Sequence, residues 1–445
     1  MCRQHLAQSI PAGHHAGNAH GYSMENLRYL ACLLIICIVP AWAQTTDDAS
    51  DEDLSAEEVA EEEAIAEDGD GSLDDATSSI DIDRIVEGVG FSADLRVSYA
   101  GADVDFGSGP DLSENELLAR WRLRSEIGVT PYMRVVGRLA GRCSTEECAP
   151  NFVLEDSIPT LNGMDDGDIT IDEAYVHWYR AKRFDIAVGR MQTKFVARGG
   201  VFAKSLDRND SHNTNVNWTD GLHATIRARN GWTPHLILQH NSSDGPTNVR
   251  RVPLDFDDPD ARVTYFVGVE NLERTPLFLQ RGIGLTVMPQ SLLKDGDLSA
   301  RREDYYAIAA RIANRWPGRN EGIRLRVAIE VGYAPNTQTK SAEGIPGEGD
   351  VDGLAWNAAI SLMDFKPDHS IGINYGRVGA GWLISPQFRS NETLAEIRYQ
   401  WRRSNGLALD FRVRWRQEIE ELVLSDGRRE EVDFFLRFTR AWTLR

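Results

Sequence analysis

The sequence predicts an all-β protein, a transmembrane antiparallel up-and-down β-barrel of about sixteen strands preceded by a disordered acidic N-terminal segment. Three observations predict it. From Phe91 onward, apolar and polar residues alternate with period two in segments of about nine to twelve residues. The connections between these segments alternate between short and long along the whole chain. The mean hydropathy is negative, at -0.38, and outside residues 29–43 no apolar run approaches the roughly 20 residues of a membrane-spanning helix.

The N-terminal part divides into three pieces before the barrel begins. Residues 1–23 read as an upstream extension from an earlier start codon, and the scattered His5, His14, His15 and His20 give no metal-site pattern. Residues 24–43 read as a signal peptide. Arg28 supplies the cation, YLACLLIICIVP the apolar centre, and Ala41-Trp42-Ala43 a cleavage site after Ala43. A short buried helix or anchor is the other reading, but the acidic tract that follows at once favours export. Cys32 and Cys37 lack a full lipobox, so no lipid anchor is expected.

Residues 44–85 form an acidic linker: between Asp47 and Asp83 lie 17 acids and no base, most of the net charge of -20. Such a composition cannot bury enough apolar surface to offset its ordering entropy. A short acidic helix at 55–66 is the alternative. The remainder, residues 86–445, is only slightly acidic, and its arginines outnumber its lysines about seven to one.

Within the barrel region, Ala119–Val129 puts Trp121, Leu123, Ile127 and Val129 on one face and Arg120, Arg122, Arg124 and Glu126 on the other. Leu407–Arg416 repeats the division, as does Ile323–Tyr333. A soluble sandwich alternates too, so the connections decide. Short ones hold turn residues, as in Thr130-Pro131-Tyr132, Asn230-Gly231-Trp232 and Lys366-Pro367-Asp368. Long ones fall near 101–116, 143–167, 192–219, 241–262, 290–303, 334–352, 379–390 and 417–430. Eight long loops imply sixteen strands, with tight periplasmic turns and long extracellular loops. The turn around Arg274-Thr275-Pro276 is the least clear. Val432, Phe434, Leu436, Phe438 and Trp442 share a parity in the last strand, which would close the barrel against the first, although the chain runs on through Thr443-Leu444-Arg445.

Cys143 and Cys148, the two cysteines beyond the signal, read as a disulfide of an oxidising compartment. A two-cysteine metal site is the alternative, with no histidine or third cysteine nearby.

Asp172-Glu173-Ala174-Tyr175-Val176 opens one strand, Asp185-Ile186-Ala187-Val188-Gly189-Arg190 forms the next, and Gln192-Thr193-Lys194-Phe195 follows. On these motifs the chain resembles the bacterial outer-membrane porin superfamily over most of residues 90–445, and among them the sixteen-stranded phosphate-selective porins of the O and P type. The resemblance implies that residues 192–220, after the fifth strand, fold inward as a constriction loop, and that the barrel forms a homotrimer. Lys194, Arg198, Lys204 and Arg208 would then offer a temporary anion site. An exposed surface loop is the alternative.

Barrel closure makes the last strands neighbours of the first. The lumen parity of strands fourteen, fifteen, sixteen, one, two and three then carries Arg398, Arg412, Arg414, Arg416, Arg437, Arg96, Arg120, Arg122, Arg124, Arg134, Arg138 and Arg142, one basic wall with Asp94, Glu126, Glu396 and Asp410 interspersed. Fixed positive charge along a narrow aqueous path favours anions, and low-dielectric walls focus the field. The competing reading is that these residues only brace the barrel through ion pairs.

The expected function is passive diffusion of small hydrophilic solutes, tilted towards anions, across the bacterial outer membrane, with lipid and solutes as partners, no nucleic acid and no cofactor or metal. The alternatives are a plugged structural or adhesin barrel and an export channel for an acidic polysaccharide. No enzyme is expected: G-x-S-x-G, H-E-x-x-H and P-loop patterns are missing, and Ser211-His212 is not triad-like.

Overall fold

The computed structural model describes residues 88–445, except 108–110, 146, 155–165, 181–182, 194, 208–217, 229–230, 242–252, 257–262, 273–274, 276–277, 318–322, 386, 404, 424, 426 and 445. The expected extension, signal peptide and acidic linker lie outside the described residues. So do Lys194 and Arg208 of the expected anion site.

Sixteen long strands run in chain order: β1 Val89–Asp105, β2 Leu112–Thr130, β3 Met133–Ser144, β4 Asp168–Arg180, β5 Phe184–Met191, β6 Thr219–Ile226, β7 Trp232–His240 and β8 Val263–Asn271. They continue as β9 Phe278–Leu292, β10 Glu303–Pro317, β11 Arg324–Tyr333, β12 Leu354–Lys366, β13 His369–Val378, β14 Glu392–Arg403, β15 Leu407–Glu418 and β16 Glu430–Leu444. Each pairs antiparallel with its chain neighbours, and β1 also pairs with β16 from Phe91↔Leu444 to Asp105↔Glu430. The sheet is closed, so no long strand is left with a free edge.

The alternation of long and short connections holds throughout. The first long connection, expected at 101–116, shrinks to residues 106–111 because β1 and β2 keep pairing as far as Val104↔Leu112. Both strands therefore exceed the expected length, at 17 and 19 residues. Asp103, Ser113 and Asn115 are polar on the outward parity there, which hides the strands from an apolar-polar reading. The unclear turn closes at Thr275, whose N–H donates to the Phe278 carbonyl at 3.0 Å. The loop after β11 holds a short helix that the alternation did not predict, α1 Lys340–Glu343, capped by the Thr339 side chain and ended by Gly344 in the left-handed conformation.

The outward face carries an apolar band between two aromatic girdles. At the short-turn end stand Phe91, Tyr132, Trp178, Trp316, Phe365 and Trp401; at the long-loop end stand Tyr99, Tyr265, Tyr333, Trp356, Tyr375 and Trp415. On β12 nine residues separate Trp356 from Phe365. At about 3.3 Å per residue this is roughly 30 Å of strand, or about 23 Å along the axis at the usual 35–45° tilt, the height of an outer-membrane apolar band. This is the geometry of a transmembrane β-barrel. Among the described residues no helix is long and apolar enough to cross a membrane.

Candidate functional site: a paired arginine wall and an inserted loop

Inward positions differ sharply around the barrel. On β10 to β13 many are small: Ala307, Ala309, Ala313, Ala328, Gly332, Ala355, Ala359, Ser361 and Gly372. On β14 to β16 and β1 to β4 most are charged. Small inward side chains leave room for a segment to lie against the wall, and the stretch Gln192–Asp207 after β5 occupies it.

A loop inside a barrel loses water, so its backbone groups need protein partners. Successive strands supply them. Phe195 packs on Ile237 of β7 and Phe266 of β8, with ring centroids 4.6 Å apart in the phenylalanine pair. Gln280 of β9 donates to the Val196 carbonyl and accepts from the Arg198 N–H, both at 2.9 Å. Ser361 of β12 accepts from the Val201 N–H at 3.2 Å and donates to the Gly199 carbonyl. Gly372 of β13 is fixed as glycine because a Cβ there would lie 2.7 Å from the Phe202 ring.

The tip of the insertion is held by charge. Lys204 Nζ lies 2.8 Å from Glu396 on β14. Asp207 accepts from Arg311 of β10 at 2.9 Å. Glu330 of β11 accepts from Ser205 Oγ at 3.0 Å and from the Leu206 N–H at 2.6 Å. Burial pushes the Lys204 ammonium down to about 7; Glu396 opposes this, while Arg414, Arg398 and Arg412 add to it. The 2.8 Å ion pair does not prevent the shift, since Arg398 also draws on Glu396, at 2.9 Å.

A second insertion was not anticipated from the sequence. The connection 379–391, where an ordinary extracellular loop was expected at 379–390, places Trp382, Leu383, Ile384 and Phe388 inside the barrel with Leu206, Leu254 and Phe256 in one buried cluster. Trp382 Nε1 donates to the Leu206 carbonyl at 2.8 Å, and Ser385 Oγ to that of Ser205 at 2.7 Å. Trp382 lies over Gly332, where a Cβ would approach its ring to 2.4 Å. The apolar residues of 379–391 and the small inward residues of β10 to β13 are the signals that would have found it.

All twelve arginines of the expected wall fall on inward parity and become neighbours through register, as in Arg96↔Arg120, Arg120↔Arg142 and Arg124↔Arg138, Arg398↔Arg412 and Asp410↔Arg437. Their charge is far more compensated than the sequence suggested. Asp172 is fully buried between Arg138, which grips it bidentately at 2.9 Å, and Arg122 at 3.0 Å. Glu173 takes Arg138 at 3.1 Å and Arg124 at 3.6 Å. Glu126 holds Arg134 at 2.5 Å, Asp166 holds Arg142 at 2.6 Å, and Asp94 holds Arg120 at 2.8 Å. Asp94 also lies in the field of Arg96.

On the β16 side of the closure, Asp433 bridges Arg412 and Arg414 of β15, both at 2.6 Å. Glu392 holds Arg416 at 2.5 Å and Asp410 holds Arg437 at 3.1 Å. Phe435, inward and buried, sits among the guanidinium groups of Arg412, Arg437 and Arg398, at 4.1, 5.2 and 5.8 Å from its ring centre. Its negative face separates like charges that would otherwise repel. Twelve arginines thus share nine paired carboxylates, of which Asp166, Asp172, Glu173, Glu392 and Asp433 were not assigned from the sequence. Side-chain exposure is 1% at Arg120 and reaches 18% at Arg124.

Cys143 and Cys148 are joined as a disulfide with Cα atoms 4.6 Å apart, at the long-loop end of β3. Among the described residues no group of histidine, cysteine and carboxylate side chains is arranged to hold a metal.

The chain matches no described protein family and no curated protein. Solved structures do match. OprB of Pseudomonas putida aligns at a TM-score of 0.52 and 10% identity over 81% of this chain and 96% of its own. OccAB3 of Acinetobacter baumannii aligns at 0.50 and 12% over 80% and 100%. OpdQ of Pseudomonas aeruginosa aligns at 0.49 and 12% over 82% and 100%. At such identities the likeness establishes the fold alone. That fold is a closed sixteen-stranded antiparallel β-barrel, shared with OprB and OccAB3.

Proposed function

We propose that this chain is an outer-membrane porin that passes small hydrophilic solutes by diffusion and favours anions. The carrying observation is the placement of two unlike halves of the lumen. The inserted loop packs on the small-residue wall of β9 to β13, and the arginine-rich wall of β14 to β3 lies around the closure. Glu116, Glu418 and Glu431 also face inward beside the nine paired carboxylates, so the wall is largely compensated as a whole; the anion preference rests on its less buried arginines, and Lys204 adds a cation on the loop. Charge in a narrow path of low-dielectric walls acts on a passing ion with little screening. In this reading Arg124, Arg134, Arg142 and Arg414, the more exposed members, meet the solute, while Arg120, Arg122 and Arg138 hold the wall together. Arg198, Lys194 and Arg208 complete the loop's basic character.

Export through the signal peptide of residues 24–43, phosphate as one of the anions, and a homotrimer belong to the same proposal. The signal peptide is supported by its own residues, Arg28, the apolar centre and Ala41-Trp42-Ala43; the trimer is supported by the porin resemblance of the Asp172–Val176 and Asp185–Arg190 motifs, which support phosphate poorly because loop sequences decide selectivity. The reading assigns the chain no enzymatic step.

One observation favours the second reading, a plugged structural or adhesin barrel: the cluster of Trp382, Leu383, Ile384, Phe388, Leu254 and Phe256 fills part of the lumen. Liposome swelling separates the two. Vesicles carrying the barrel should swell with small sugars and faster with small carboxylates of equal size; no swelling with any solute would favour the plug. An acidic-polysaccharide exporter would admit chains of several sugars as readily as single ones.

A further inference from the structure

Nearly all inward arginines are tied to carboxylates, but a few outward ones are not. Arg403 ends β14 on the same parity as Ile397, which is 55% exposed, and Arg440 lies near the end of β16 on the parity of Leu436, 46% exposed. Both sit at the short-turn rim. Among the described residues neither guanidinium is paired with a carboxylate. Instead each lies over a girdle ring: Arg403 is 5.6 Å from the Trp401 ring centre and Arg440 is 5.9 Å from that of Trp442.

Register places these two arginines at one level. Leu407 of β15 faces Arg403 across β14 and Arg440 across β16. The two Cα atoms are therefore two strand spacings apart, about 9.6 Å. Two arginine side chains of ordinary length converge easily across that gap. Towards the barrel middle the same patch continues as Leu409, Phe411, Leu436 and Phe438, an apolar strip.

The opposite rim has the contrary sign. Asp103, Asp304 and Glu430 lie on outward parity at the long-loop end. Arg377, outward at that end of β13, lies 3.9 Å from Asp352, whereas Arg403 and Arg440 lie over tryptophan rings.

We propose that Arg403 and Arg440, flanking Leu407, form a binding site for the headgroup phosphate of one anionic phospholipid in the leaflet at the short-turn end. The guanidinium groups donate hydrogen bonds to the phosphate oxygens in the geometry that arginine favours for this group. Trp401 and Trp442 bracket the headgroup at the interface, where such rings settle. The acyl chains run along Leu409, Phe411 and Phe438. A zwitterionic lipid also carries a phosphate, but its own ammonium competes for it, so the site prefers the anionic lipid.

The test uses the full barrel in phosphatidylcholine vesicles containing spin-labelled phosphatidylglycerol or spin-labelled phosphatidylcholine. Electron spin resonance reads the fraction of each label immobilised against the protein. The wild type should immobilise phosphatidylglycerol in preference, and R403Q/R440Q should lower that preference about fivefold for each arginine removed. R403K/R440K, which keeps the charge, should retain most of it. A measurement that needs no variant is the salt dependence: 1 M KCl should erase most of the wild-type preference. Equal immobilisation of the two labels by the wild type, a preference insensitive to salt, or an unchanged preference in a folded R403Q/R440Q would overturn the proposal.

Discussion

Asp172 shows what a buried charge does in this molecule. It touches two guanidinium groups and no solvent, so its removal strands Arg122 and Arg138 without compensation. Pairing such groups contributes little net stability, because desolvation consumes most of the attraction, but breaking one pair costs about 3–5 kcal/mol. Asp172→Ala should lower barrel stability by that order, measured as urea unfolding in detergent; a change under about 1 kcal/mol would show that water reaches both arginines. Lys204 makes a prediction about pH. Its folded value, about 7, lies below the ordinary 10.5. Between those values the unfolded chain binds a proton that the folded chain does not, so stability rises with pH across about 7 to 10.5. Below about 7 the lysine is charged when folded. Anion preference should therefore fall as pH rises from 6 to 8.5, and Lys204→Met should flatten that dependence. A slope unchanged in the variant would assign the titration elsewhere.

At the scale of elements, the two inserted segments and the wall beneath them form a packed unit. Gly372→Leu would drive a side chain into the space of Phe202, where even a Cβ comes within 2.7 Å. Overpacking of this kind costs about 1–3 kcal/mol, and the inserted loop is the part able to move. Single-channel conductance of the variant should exceed that of the wild type; equal conductance would mean that residues 199–202 do not bound the path. Trp382→Ala should cost about 3–5 kcal/mol and widen the channel from the side of residues 379–391. The strands themselves were legible because each has one face against lipid, and exclusive burial of one parity forces alternation. The inward insertion of 192–207 was legible only by resemblance, and that of 379–391 not at all. Its partners, Tyr305, Gly332 and Leu206, lie 50 to 176 positions away in sequence, beyond the reach of any local pattern.

For the whole molecule, closure decides what the charges mean. The pairing of β1 with β16 brings Arg96 and Arg437 to neighbouring strands, and the linear sequence already implied this once sixteen strands were counted. The degree of compensation was not legible, because parity tells which way a side chain faces and not which carboxylate it reaches. Asp433 serves Arg412 and Arg414 together, and no spacing rule announces it. The wall is consequently both brace and field: its buried members hold strands in register, and its less buried members set the potential of the path. The most direct test of that account is the reversal potential of single channels of the full barrel in a planar bilayer under a tenfold KCl gradient. The account predicts discrete conductance steps with a reversal potential displaced towards the chloride equilibrium value. An absence of conductance, or displacement towards the potassium value, would contradict it.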